Sequence, residues 1–307
     1  MPRLSVNLCC YNSEPFLRET LDSVFAQTFK DYELIIVNDG SRDGTEAVIR
    51  EYIAAGHPIR YIAQANAGLG AARNKALESS SGEFIAILDH DDVWEPEKSA
   101  RQMALFERPG VGFVGSDARY IDRDGRVLYL SSGVNPLRRG GILKELFLYD
   151  FIPCASAMLR RSALAAAGGP FRPELRFVEE YELFLRLAKV AEFDFVPEPM
   201  VRIRLHRGNA SWDTAGERAE MRRTCAECLQ RWPGLAAELG PRVVRVKSAG
   251  FRLSPEQAGA LDGRGGSIGV QAGAFLRYGL SGLGPGAIGL LIRLKRGLSW
   301  LRAFLRG

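Results

Sequence analysis

Glu83, Phe84, Ile85, Ala86, Ile87 and Leu88 run directly into Asp89, His90, Asp91 and Asp92, and this stretch decides how the rest of the chain is read. The unbroken apolar run is too short for a helix and predicts a strand over 83–88, buried on both faces. It delivers three carboxylates within four residues to one place. They repel one another unless something cationic sits among them. Hard oxygen donors suit Mg2+ or Mn2+, with the remaining positions taken by water and phosphate oxygens. The simpler alternative is that Asp92 caps a helix starting near Pro96 and complements its dipole.

Outward from this strand, apolar runs alternate with amphipathic stripes. Strands are expected over 4–9, 33–37, 60–63 and 112–115, and helices over 14–28, 43–55, 70–78 and 96–106. Such alternation implies right-handed βαβ units and a mainly parallel sheet. The second half reads as more mixed. A hairpin is expected with arms 118–121 and 126–130 around Asp122–Gly125, then a helix over 142–149, a short strand over 155–159, and helices over 162–167 and 179–190. Pro197 and Pro199 interrupt the apolar stretch 193–206, which suggests an edge or irregular strand pair. After Trp212 the pattern is helical, with a break at Trp232-Pro233-Gly234.

In an open parallel sheet, ligands bind outside the carboxyl ends of the strands. Four loops bring polar residues there. They hold Tyr11 and Asn12; Asn38, Asp39, Gly40 and Ser41; Asn66 and Gly68, leading to Arg73 and Asn74; and Asp89 to Asp92. Each alone reads as turn chemistry; together they mark a site. A dinucleotide fingerprint is absent after the first strand, where Cys9, Cys10, Tyr11 and Asn12 stand, and no Walker loop occurs anywhere in the chain. Further on, Glu179, Glu182 and Arg186 share a helical stripe expected to be a solvated face with a Glu182–Arg186 pair. Glu180 shares the apolar stripe of Leu183, Phe184 and Leu187. There, partial desolvation raises a carboxyl pKa towards that of a useful base, although an acid in the first helical turn also favours the dipole. His206 follows the last strand and is a candidate metal ligand or phosphate donor.

Composition sets the outer limits. At 46% hydrophobic and 25% charged over 307 residues the chain is globular in composition, not disordered. The net charge of +5 is concentrated in residues 267–307, which carry six basic residues and no acid. The main body is therefore near neutral and offers no argument for nucleic acid. Five cysteines argue against a disulfide framework, and Cys225-x-x-Cys228 reads as a plain helical face. The longest uncharged stretch near the C-terminus, 278–292, holds five glycines and a proline, which is unsuited to a spanning helix. The first strand leaves no room for a signal peptide, so a cytoplasmic location is expected.

The ordered motifs resemble the family-2 glycosyltransferases, which have the GT-A nucleotide-sugar-binding fold. The resemblance runs from about residue 4 to about 211. It is carried by Tyr11-Asn12, Leu21-Asp22-Ser23-Val24 with Gln27-Thr28, Asn38 to Ser41 with Asp43-Gly44-Thr45, and Asn66-x-Gly68 with Ala72-Arg73-Asn74. Further along the chain it rests on Asp89 to Asp92 with Trp94 and Pro96, Arg160-Arg161-Ser162, Glu179-Glu180-Tyr181, and Arg204-x-His206 with Ser211. The resemblance implies an α/β GT-A sheet flanked by helices. Residues 1–115 would be the nucleotide-sugar half, 116–212 the acceptor and base half, and 213–307 a helical C-terminal region.

By the same resemblance Asp39 accepts a hydrogen bond from the nucleotide base. Asp89 and Asp91 take the positions near ribose and metal, with Asp92 in support, and Arg73 lines the sugar-nucleotide pocket. Tyr11, Asn12 and Asn66 are added to the donor site. Asp91 and His206 would hold Mn2+ or Mg2+, and Glu180 would deprotonate the acceptor hydroxyl. The chain departs from the family pattern at Asn38, where an acid is usual, and at Glu180, where Asp is usual. The implied reaction is inverting transfer from a nucleoside diphosphate sugar to a saccharide or lipid-linked acceptor in cell-envelope or exopolysaccharide synthesis. A non-catalytic glycan-binding module and a nucleotidyltransferase are the competing readings. Leu294, Leu298, Leu301 and Leu305, interleaved with Lys295, Arg296, Arg302 and Arg306, suggest a cationic amphipathic helix. It would either pack on the core or lie on an anionic surface, making the protein peripheral on the inner face of the membrane.

Overall fold

The computed structural model describes residues 1–133, 135–206 and 214–248. Its first half alternates as β1 (Leu4–Cys10), α1 (Leu17–Phe25), β2 (Tyr32–Asp39), α2 (Thr45–Ala54), β3 (Ile59–Gln64), α3 (Leu69–Ser79) and β4 (Phe84–Asp89). Strand β1 pairs in parallel with β2 and β4, and β2 with β3, giving the order β3-β2-β1-β4. Both faces of this sheet are covered, so β1 is buried along its whole length. Leu4, Val6 and Leu8 face Leu17, Leu21 and Val24 of α1, whereas Cys9, Ile35 and Val37 face Ala72 and Ala76 of α3. The register sets Cys9 opposite Asp89, Cys10 opposite Asn38, and Asp39 opposite Gln64. The carboxyl ends are thus level, and the loops that leave them share one edge.

The chain continues through β5 (Val93–Trp94), α4 (Lys98–Leu105), β6 (Val111–Ile121), β7 (Val127–Leu130), α5 (Leu143–Leu148), β8 (Met158–Arg160), α6 (Arg161–Ala166), α7 (Glu179–Val190) and β9 (Glu192–Arg204). These extend the sheet in the order β4-β8-β6-β9-β5. Strand β8 runs antiparallel to β4 and β6, and β5 antiparallel to β9. The sheet is therefore parallel in its first half and mixed in its second.

Several expected elements differ in form. The fifth strand and the first hairpin arm are one strand, β6, followed by a turn in which the Asp122 N–H donates to the Arg126 carbonyl. The stretch 155–159 opens as a 3-10 turn, Cys154–Ser156, before β8. Side chains take the carbonyls a longer strand would use: Trp94 Nε1 donates to Ala155 O and Gln102 Nε2 to Ser156 O. Capping by Asp92 is overturned. Val93 and Trp94 form a strand, α4 begins only at Lys98, and no side chain caps it. The proline-interrupted segment is the single strand β9, set between β6 and β5. Strand β5 meets it at Val201 and Arg202, so Pro197 and Pro199 lie outside that pairing.

Lys98 is fully buried, with Nζ 3.9 Å from the centre of the Trp94 ring and 2.7 Å from Gln102 Oε1. Burial pushes its pKa well down. Because Gln102 also donates to Val114 O and Ser156 O, this cluster ties α4 to β6 and to the turn before β8.

Among the described residues, a second unit comprises 121–129, 205–206 and 214–248. It contains α8 (Thr214–Arg231) and α9 (Pro233–Ser248), separated at the expected break. Helix α9 has a further kink at Gly240 (φ 76°), next to Pro241, which the sequence reading did not mark. Cys225 and Cys228 are buried on α8 and act as core residues. The cationic pattern of 267–307 and the motif residue Ser211 lie outside the described residues.

Gly40 closes the loop after β2 at φ +74°, where an added Cβ would stand 2.8 Å from the Asn66 backbone nitrogen. Gly125 has a similar φ of +84° with open space around it. Gly40→Ala is expected to destabilise by about 2–3 kcal/mol and Gly125→Ala by about 1 kcal/mol, measured by urea unfolding.

Candidate active site

The loop after β2 is built around Asp39, which is 4% exposed. Its Oδ1 accepts from Gln64 Nε2 (2.7 Å) and Ala67 N (2.8 Å), and its Oδ2 from Gly68 N (2.9 Å). Asn66 donates through Nδ2 to the Asp39 carbonyl at 2.9 Å. Asp39 and Asn66 therefore hold the third loop against the second. Asn38 uses both ends of its amide: Nδ2 donates to Tyr61 Oη (3.1 Å) and Oδ1 accepts from Ser41 N (3.0 Å). A carboxylate would have no donor to offer there. Asn12 has a positive φ of 51°, and its Oδ1 accepts from Arg42 N, which locks the first loop to the second. Tyr11 is exposed beside it.

Arg73, on α3, is the hub of the site and is 4% exposed. Its Nη2 donates to Asp89 Oδ1 at 2.9 Å, and its Nη1 to Glu179 Oε1 at 3.0 Å. Nη1 also stands 3.5 Å from Glu180 Oε2. The same guanidinium lies 3.3 Å from Cys154 Sγ and over the Phe171 ring at 5.4 Å. It was expected to line the donor pocket. It joins the acid at the end of β4 to those at the start of α7. Burial, reinforced by the neighbouring Glu179 charge, pushes the Glu180 carboxyl up to about 8, with Arg73 opposing the shift and Asp150 adding to it. The Cys154 thiol is also pushed well up by burial and stays neutral despite the guanidinium.

Glu180 faces this cluster with its side chain 24% exposed, as its place on the apolar stripe predicts. The solvated face assigned to Glu179, Glu182 and Arg186 is wrong, since all three are buried. The expected Glu182–Arg186 pair does form, at 2.9 Å. Arg186 also donates to the carbonyls of Ala167, Gly169 and Pro170. It is a strap for the loop preceding α7, and Asn74 clamps the same loop through both the N–H and the carbonyl of Phe171.

Asp91 and Asp92 are 6% and 4% exposed. Burial and the charges of Asp91 and Asp89 push the Asp92 carboxyl well up. Arg204, at the end of β9, holds this loop. Its N–H donates to Asp92 Oδ1 at 2.9 Å, its Nε donates to the Asp91 carbonyl at 3.2 Å, and its Nη2 pairs with Glu19. Crowded, desolvated carboxylates fit a divalent cation. Among the described residues no group of three His, Cys, Asp or Glu side chains is placed to hold a metal ion. The fit is therefore to a cation that takes most of its ligands from phosphate oxygens and water. His206, two residues beyond Arg204 in sequence, belongs to the second unit.

Asp39, Asn66, Arg73, Asp89, Asp91, Asp92 and Glu180 thus gather at one sheet edge within a single unit. Sequence reasoning gave no role to Arg204, Glu19, Glu179 or Cys154. Arg204 and Glu179 stood inside quoted motifs, but Glu19 and Cys154 carried no signal, because only packing brings them to this cluster.

This edge and its acids place the chain in the α/β class whose ligand site lies outside the carboxyl ends of the strands. The profile of glycosyl transferase family 2 matches residues 5–168, and the chain belongs to that family. EpsH of Bacillus subtilis, named as a glycosyltransferase, is 44% identical over 223 residues, 67% of this chain and 61% of its own length. An uncharacterized glycosyltransferase of Rickettsia typhi is 29% identical over 215 residues, 67% of this chain and 64% of its own. The chain thus spans slightly less than two thirds of these relatives. Among solved structures, S. aureus TarS in complex with UDP-GlcNAc superposes with a TM-score of 0.60 at 20% identity, covering 74% of this chain and 66% of that one. The mannosyltransferase PcManGT from Pyrobaculum calidifontis, in complex with GDP-Man and Mn2+, gives 0.61 at 20% identity, covering 95% and 85%. At that identity the likeness establishes the shared GT-A fold. No helix among the described residues is long and apolar enough to cross a membrane.

Arg73→Met leaves three carboxylates around a missing charge. It is expected to destabilise by about 3–5 kcal/mol near neutral pH. The Glu180 carboxyl it frees is held above its unfolded pKa by burial and the neighbouring Glu179 charge, so the native state binds more protons there and gains stability as pH falls. The deficit relative to the parent protein should shrink between about pH 8 and about pH 5, followed by thermal melting.

Proposed function

We propose that the chain transfers a glycosyl group from a nucleoside diphosphate sugar to an acceptor hydroxyl, with inversion at the anomeric carbon. The observation that carries this reading is the Arg73 bridge, which sets the Glu180 carboxyl and the Asp89 carboxyl around one guanidinium. Donor and acceptor chemistry then meet at one point. Asp39, Tyr11, Asn12 and Asn66 frame the nucleotide, and Asp89 and Asp92 frame the ribose and diphosphate. Asp91 would hold Mn2+ or Mg2+, which when bound would offset the negative charge of the diphosphate leaving group. Glu180 takes the proton of the acceptor hydroxyl as that oxygen attacks from the face opposite the leaving group. Its longer side chain, where the family usually has Asp, requires an acceptor seated correspondingly further from α7.

The UDP and GDP donors of the structural neighbours support a nucleotide-sugar donor in general terms. A saccharide or lipid-linked acceptor of the cell envelope, met at the inner face of the cytoplasmic membrane, is favoured by the cationic, leucine-periodic sequence of 267–307. The substitution at Glu180 motivates a second reading, a binding module that retains donors without turning them over.

With a donor chosen by thermal shift in Mn2+, Glu180→Gln should lower kcat by about 10^2–10^4-fold and leave donor binding nearly unchanged. Full activity in that variant removes Glu180 from the role. Donor binding by the parent chain without turnover on any acceptor favours the module. A product of retained configuration contradicts the single displacement. Because the base acts deprotonated, kcat should rise with pH and level off above about 8, the value to which the Glu180 carboxyl is pushed. A pH–rate profile that is flat from about pH 6 to about pH 9 would contradict this.

A further inference from the structure

Asn7 stands in the middle of β1, a parallel strand buried on both faces, where an apolar side chain would be expected. It is 5% exposed, and neither Oδ1 nor Nδ2 has a hydrogen-bond partner. Its neighbours in the sheet are Ile35 and Ile87, which offer no side-chain partner. The Asn7 side chain borders a small internal cavity with room for a single water. The other liners are apolar, Ile87, Leu159, Phe171 and Leu183 among them, with one exception, Arg73. A buried amide with both ends unsatisfied is rare in native proteins and marks the place of an ordered water or ion. An anion is disfavoured, because the guanidinium already faces Asp89, Glu179 and Glu180. A cation is disfavoured by the guanidinium itself. A neutral ligand that both donates and accepts remains.

We propose that one ordered water occupies this cavity and bridges the Asn7 carboxamide to the Arg73 guanidinium, which makes Asn7 a positioning residue for the Arg73–Glu180 pair. The water accepts from an Arg73 N–H and donates to Asn7 Oδ1. It holds the guanidinium from below while its Nη atoms engage Asp89 and the two glutamates. Asn7 touches no reacting atom; it acts through Arg73. The positioning half of this proposal rests on Glu180 acting as the base, whereas the water site does not.

Crystals of the full chain, diffracting well enough to show ordered solvent, test the water directly. The expected result is a peak within hydrogen-bonding distance of both the Asn7 carboxamide and the Arg73 guanidinium. An empty cavity, or an Asn7 amide bonded directly to Arg73, overturns the proposal. Asn7→Val supplies a strand-forming apolar side chain and should lose the peak while melting at the same or a higher temperature. Its kcat should fall about tenfold with donor KM unchanged, and Asn7→Ser, whose hydroxyl can still hold the water, should recover most of that loss. A Val variant with the parent kcat overturns the positioning role. Activity retained in Glu180→Gln overturns the base assignment alone and is read independently of the solvent peak.

Discussion

Arg73 places one positive charge among carboxylates drawn from two distant parts of the chain, Asp89 at the end of β4 and the Glu179–Glu180 pair at the start of α7. Nothing else described in the site joins these two elements by a side-chain ion pair. The arrangement is asymmetric. One guanidinium cannot neutralise three acids, and the acid it meets at the longest distance, Glu180, is the one whose pKa is pushed up to about 8. A desolvated carboxyl with an elevated pKa, held near an acidic loop, is suited to accept a proton near neutrality. Removing one partner from such a buried cluster costs far more than the net worth of any single pair, because the remaining charges stay buried.

The rest of the unit supports that contact from several sides. Asn74, the residue after Arg73, clamps Phe171, and Arg186 straps the carbonyls of Ala167, Gly169 and Pro170. The loop entering α7 is therefore fixed to both α3 and α7. On the opposite flank Arg204 holds the Asp91–Asp92 loop through a backbone and a side-chain donor. Two arginines thus divide the work: Arg73 meets Asp89, Glu179 and Glu180, and Arg204 holds the loop that carries Asp91 and Asp92. Both are buried and multiply bonded, as a planar fork of donors allows and a lysine would not.

Much of the parallel half was legible because its signals are local. Apolar runs of strand length, the 3.6-residue stripe of α1, the Ala-rich run of α3, and polar residues after each strand fixed the order of elements and the edge that carries the site. The errors share one cause. The stripe of Glu179, Glu182 and Arg186 looked solvated because charge alone does not reveal a partner. In the structure Arg73 and the carbonyls before α7 supply partners and allow burial. A helix cap stood as the alternative reading of Asp92 because short strands such as β5 have no periodicity to read. Strand β9 looked broken because prolines count against a central strand unless the neighbour's length is known.

The sequence by itself determined the βαβ alternation, the four loops that bear acids and amides, and the candidacy of Glu180, since each depends on residues close together in the chain. Only the tertiary structure decided that Arg73 bridges Asp89 to Glu179 and Glu180, that Arg204 fastens the Asp91–Asp92 loop, and that Asn7 borders a cavity with its amide unsatisfied. Those outcomes depend on contacts across more than a hundred residues and on burial. Burial sets the strength of every charge and the cost of every missing hydrogen bond, and no local pattern encodes it.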